Sequence, residues 1–130
     1  MPIKYKIKEK SDNPAEVVFS RIGAVTEVSL GDLDYNIKVN LKRKQELEAQ
    51  LRIEEATLKN VLQSNPEVEK MDEKQRIAVY IYERSRAMVK VAKEKIEQFE
   101  KAIEGDKKEM AEITKQSGII LIKINDVIQK

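Results

Sequence analysis

The sequence predicts an α+β protein, mostly α: a long antiparallel helical hairpin standing on a small β-sheet built from the N- and C-terminal strands. Three observations carry that expectation. Two runs, Leu30 to Leu62 and Ile77 to Ile113, place apolar residues at steps of three, four and seven, the spacing of one stripe on a helix. The break Ser64-Asn65-Pro66 lies between them, where a helical connection belongs. Short β-branched segments flank the pair on both sides.

Bulk composition agrees. The chain has 130 residues, 37% charged, with only 4 Gly and 3 Pro, so breakers are scarce where Lys, Glu and Leu are common. A single domain is expected, with residues 1–28 and 118–130 as the sheet and 29–117 as the hairpin, its tip near 64–72.

Taken in order, Ile3, Tyr5 and Ile7 alternate with Lys4, Lys6 and Lys8, which reads as a half-exposed strand with lysines guarding an edge. Lys10 to Pro14 is a loop. Val17 to Ile22 reads as a second strand, Gly23 as a turn, and Val25 to Val28 as a short third strand. Ser29 with Asp32 three residues on resembles a capping box, although Gly31 argues for a later helix start.

The first stripe runs Leu30, Leu33, Ile37, Leu41, Leu47, Leu51, Leu58 and Leu62. The second runs Ile77, Ile81, Met88, Ala92, Ile96, Phe99, Ile103, Met110 and Ile113, with polar Asp106 in one slot. Pairing Leu33 with Ile103, Ile37 with Phe99, Leu47 with Met88 and Leu58 with Ile77 gives numbers that sum to about 135–136, a constant level for antiparallel helices. That register leaves Met110 and Ile113 below Leu30, to pack on the sheet. At about 1.5 Å per residue the shorter helix spans roughly 50 Å, so an elongated stalk is expected.

At the tip, either Asn65 caps the second helix with Pro66 in its first turn, or Asp72 caps it after a single turn over 66–71. Gly105-Asp106 is a weak spot in the helix, and Ser117-Gly118 is a C-terminal cap. Ile119 to Ile124 is a dense β-branched run and reads as a strand.

Several chemistries lack their residues. There is no Cys and no His, which removes thiol chemistry, the commonest general base and the commonest metal ligand. Helical carboxylate metal sites usually recruit His as well, and Glu54-Glu55, Glu67 with Glu69, and Asp72-Glu73 have none beside them. No Gly-rich phosphate loop is present. No catalytic residue, cofactor, metal or small-molecule substrate is therefore expected. No apolar run approaches a membrane span, and the N-terminus lacks a signal-peptide core, so a soluble cytoplasmic protein is expected.

Three surfaces remain as candidates. Ile77 to Tyr82 is apolar nearly all round, and Val79, Tyr80, Tyr82 and Val89, with Ile53 of the first helix, form a candidate interface for a protein partner. Lys42, Arg43 and Lys44, level with Arg86, Lys90 and Lys93, form a candidate phosphate-binding patch, although acidic residues are interspersed and the net charge is only +2. Ile119, Ile120, Leu121, Ile122 and Ile124 offer strand-mediated contact, with this chain's own sheet or a neighbour's. The expected function is that of a non-catalytic structural or adaptor protein, homo-oligomeric or part of a larger assembly such as a virion. A small nucleic-acid-associated protein, or a small inhibitor of another protein, is the alternative.

Overall fold

The computed structural model describes residues 3–70 and 76–119. It contains a three-stranded antiparallel sheet and two long helices. Strands β1 (Tyr5–Glu9), β2 (Val18–Arg21) and β3 (Glu27–Ser29) follow one another in sheet order. Tyr5 pairs with Arg21 and Ile7 with Phe19, with a register shift between Ile7 and Glu9. Phe19 pairs in turn with Val28. Gly23 turns β2 towards β3 at φ 90°, a left-handed conformation that glycine adopts without a Cβ penalty.

Helix α1 spans Leu30–Ser64 and α2 spans Arg76–Ser117. Ser29 caps α1, its hydroxyl accepting the Asp32 N–H at 3.1 Å. Gly31, expected to delay the helix, lies inside it for a packing reason. A Cβ there would stand 2.8 Å from the Ala15 carbonyl oxygen, so the short 3-10 turn Pro14–Glu16 can lie against the helix start only over a glycine. At the other end the Asn65 N–H donates to the Val61 carbonyl at 2.8 Å, and a 3-10 turn follows at Val68–Lys70. A short turn thus precedes α2; Asp72, the alternative cap, lies outside the described residues. Gly105 does not interrupt α2, and Gly118, at φ 75°, closes it with its N–H on the Thr114 carbonyl.

The chain divides into two units. One takes in the described residues up to Asn40 and from Lys101 onwards; the other is Leu41–Glu100. In the first, Val17, Phe19 and Val28 of the sheet region meet Leu30 and Leu33 of α1 and Ile113 of α2 in one buried cluster, with Tyr5, Ala15, Met110 and Ile119 packed against it. Met110 and Ile113, expected below Leu30 on the sheet, thus share a cluster with Leu30, Leu33 and the sheet residues. In the second unit Lys44 Nζ lies 3.3 Å from a Glu100 carboxylate oxygen.

The Lys44–Glu100 ion pair departs from the expected level: its numbers sum to 144 rather than 135–136. The burial stripes give the reason. Among the covered positions of α1, Leu30, Leu33, Ile37, Asn40, Lys44, Leu47, Leu51, Glu54, Leu58 and Val61 make an unbroken three-four alternation, with Leu62 covered beside it. On α2 a second alternation runs Ala78, Tyr82, Ser85, Val89, Ala92, Ile96, Phe99, Ile103, Asp106, Met110 and Ile113, with Ile81 and Met88 covered beside it. Leu41 and Ile77, placed on the stripes from sequence, are exposed. Polar Asn40, Lys44, Glu54 and Ser85 fill slots that an apolar pattern skips.

Three strands of the expected sheet are present. Within the described residues the sheet consists of the three N-terminal strands, and Ile119 contributes a side chain to the cluster. The proposed strand residues Ile120, Leu121, Ile122 and Ile124 lie outside the described residues.

Candidate functional site

The most elaborate polar arrangement is a clasp between the sheet and α2. The Arg21 guanidinium donates twice to the Glu109 carboxylate, Nε to Oε2 and Nη2 to Oε1, each at 2.7 Å. The Tyr5 hydroxyl donates to Glu109 Oε2 at 2.7 Å. Arg21 and Tyr5 face each other because their backbones pair across β1 and β2. Both side chains of the ion pair are mostly covered, at 23% and 16% exposure. The two-point pairing with Arg21 holds the Glu109 carboxyl below its usual range, with the Tyr5 hydrogen bond adding to it against a burial penalty. Burial, then Glu109, pushes the Tyr5 hydroxyl up to about 12. Burial, then the Glu109 charge, raises the Asp106 carboxyl.

About two turns beyond, Gln116 grips the backbone of the first strand. Its Nε2 donates to the Ile3 carbonyl at 2.7 Å and its Oε1 accepts the Tyr5 N–H at 2.9 Å. These groups lie on the edge of β1 away from β2, since the intervening Lys4 carbonyl accepts from Ile22 on the β2 side. Gln116 thus occupies two hydrogen-bonding positions of an open strand edge. An open groove of about 460 Å³ lies nearby, lined by Ile7, Lys10, Ser11, Asp12, Val17 and Ile119. The chemistry of the clasp is structural: every carboxylate oxygen of Glu109 is taken by a donor of the fold.

The expected partner face divides. Ile53 and Tyr80 are exposed, at 65% and 66%, while Tyr82 is only 7% exposed. Val79 and Val89 are half-covered. Tyr82 and Val89 lie on the covered stripe of α2 with buried Ser85 between them. The Tyr82 hydroxyl accepts from Arg86 at 3.3 Å, and that guanidinium stands 5.4 Å from the ring centroid. Exposed Ile77, Tyr80, Ala87 and Val91 instead make an outer stripe on α2, again at three-four steps with Arg84 in the middle slot.

The basic residues of the expected phosphate patch line two grooves, make separate contacts or stand exposed. Arg43 lines an open groove of about 410 Å³ with Glu46, Leu47, Gln50, Lys95, Gln98 and Phe99. Lys93 lines another of about 430 Å³ with Glu55, Leu58, Lys59, Leu62, Gln63 and Val89. Lys44 is paired with Glu100 and Arg86 with Tyr82, while Lys42 and Lys90 are exposed.

Sequence reasoning missed Arg21, Glu109 and Gln116, because nothing local marks a charged residue whose partner lies across the fold. Buried Ser85, whose hydroxyl has no hydrogen-bond partner, was legible only as a slot in the three-four pattern. Among the described residues, no group of three or more His, Cys, Asp and Glu could hold a metal ion, and no helix is long and apolar enough to cross a membrane. The chain matches no known protein family, no curated protein and no solved structure.

Proposed function

We propose that the two helices form an antiparallel coiled-coil hairpin and that the protein is a non-catalytic adaptor or assembly component, acting through protein–protein contact as a homo-oligomer or within a larger complex. The two unbroken stripes support the hairpin. In the first unit they pair Leu30 with Ile113 and Leu33 with Met110; in the second they pair Leu47 with Ile96, Leu51 with Ala92 and Leu58 with Ser85. One constant level difference serves every layer.

The observation that carries the functional reading is the outer stripe. Ile77, Tyr80 and Val91 are exposed on α2, as is Ile53 on α1. None of them belongs to the inner stripes. In an antiparallel pair with those seams, Ile53 and Val91 come to one level on one side. Apolar residues at helical spacing outside the seam suit a second helix, and tyrosine is favoured where proteins meet. A homo-oligomer is the simplest partner. The phosphate-binding alternative has less support, because its basic residues line separate grooves beside carboxylates.

Light scattering across a concentration series, at low and moderate salt, tests the reading. The expected result is an oligomer indifferent to salt that Ile77→Lys with Tyr80→Lys reduces in mass while helical circular dichroism is retained. A monomer at every concentration, or a mass unchanged by the double substitution, refutes the homo-oligomeric form. Nucleic-acid binding that weakens steeply with salt would favour the alternative.

A further inference from the structure

We infer that Lys44 is the register lock of the hairpin: among the charged residues in one column of α2, it accepts Glu100 and rejects the others. The inference rests on the coiled-coil reading above and concerns what chooses one register from several. A strict heptad pattern does not choose. Sliding α2 by seven residues keeps stripe against stripe, and the slid arrangement still pairs Leu33 with Ile103, Ile37 with Phe99 and Leu47 with Val89. At the base, the Ile113 cluster and the Arg21–Glu109 pair oppose either slide; within Leu41–Glu100 apolar matching alone leaves the two arrangements close, so discrimination there has to come from the polar slots.

Lys44 sits in such a slot, three-quarters covered, with its Nζ 3.3 Å from the Glu100 carboxylate. The residues of α2 that share the Glu100 column, at seven-residue steps, are Arg86, Lys93 and Lys107. Glu100 is the one carboxylate in that series. A slide of one heptad in one direction sets Lys44 against Lys93. The opposite slide sets it against Lys107, with Asp106 entering the adjoining layer, and either slide takes Ile113 away from Leu30 in the buried cluster. A covered ammonium facing a second ammonium is disfavoured where the same group facing a carboxylate is not. Polar residues in a seam that specify alignment at some cost in stability are a known use of such slots.

The chain has no cysteine, so introduced pairs report the register without background. Leu58→Cys with Ser85→Cys lies in one layer of the observed register. Leu51→Cys with Ser85→Cys shares a layer only after the slide towards Lys93. Disulfide formation requires close, well-aligned Cβ atoms and therefore separates the two. With Lys44 intact the first pair closes and the second does not. Introducing Lys44→Glu turns the Glu100 contact repulsive and the Lys93 contact attractive. Four pairwise changes of roughly twofold each multiply to a shift of about tenfold or more in the ratio of second-pair to first-pair closure. Adding Glu100→Lys to Lys44→Glu restores the first pair.

If the first pair fails to close with Lys44 intact, the coiled-coil reading falls, and the lock with it. If the first pair closes but its preference is unchanged by Lys44→Glu, the hairpin stands and the lock is overturned. Loss of helical circular dichroism in Lys44→Glu that Glu100→Lys does not repair overturns it as well.

Discussion

Replacing Glu109 with alanine should cost the fold about 2 kcal/mol, chiefly through the two groups it strands. The structure gives Glu109 three hydrogen bonds at 2.7 Å, two from Arg21 and one from Tyr5. Removing one partner of a fully buried pair costs about 3–5 kcal/mol because the other charge stays unpaired. Here the Arg21 side chain keeps 23% of its exposure, so water can reach it and the cost should fall below that range. For a chain of this size, about 2 kcal/mol corresponds to a melting point lower by roughly 6–10 °C. Urea unfolding followed by circular dichroism measures it, and a cycle with Arg21→Ala isolates the coupling between the two residues. The pH profile gives a second check. Glu109 has a folded pKa below its unfolded value, so its contribution is present above the unfolded pKa and is lost as pH falls through the folded one. Tyr5 has a folded pKa of about 12 against 10.0, so its contribution is present below the unfolded value and is lost as pH rises from there towards the folded one. Glu109→Ala should flatten the acid limb of the stability curve. A loss under about 0.5 kcal/mol, with that limb unchanged, would mean the clasp is a surface pair of no consequence.

Two further substitutions probe the packing. Ser85→Ala should leave stability unchanged or raise it by about 1 kcal/mol, because the buried hydroxyl lacks a partner and its removal ends a desolvation cost; a clear loss in urea unfolding would mean that the hydroxyl is paired. Gly31→Ala, which at an exposed helix position would stabilise by roughly 0.5–1 kcal/mol, should here destabilise, since the new Cβ would meet the Ala15 carbonyl oxygen at 2.8 Å; a raised melting point would show that the 3-10 turn can withdraw without loss.

Much of the architecture was legible in the sequence, and the misreadings share one cause. Period-two alternation found β1, and spacing of three and four found both helices nearly to their ends. Ser29 and Gly118 marked caps that the hydrogen bonds bear out. The seam was misread where it is polar. Asn40, Lys44, Glu54 and Ser85 are covered, yet as polar residues they give an apolar pattern nothing to find, so the stripes were drawn through Leu41 and Ile77, which are exposed. Tyr82, expected on a partner face, is covered, with the polar Ser85 slot beside it. The clasp was out of reach for a different reason: Tyr5 and Glu109 are 104 positions apart, and no local period links them.

That separation bears on the order in which the molecule can be made. Synthesis delivers the three strands first, and they can pair locally as they appear. Phe19, fully covered in the finished protein, then has no Ile113 against it and Tyr5 has no acceptor. Both wait until α2 has been made almost to its end, when Gln116 reaches the Ile3 carbonyl 113 positions behind it. Closing so long a loop is slow compared with winding a helix. The newborn chain therefore carries an open apolar sheet face throughout the translation of both helices, and it is in that interval that it most needs protection from its neighbours.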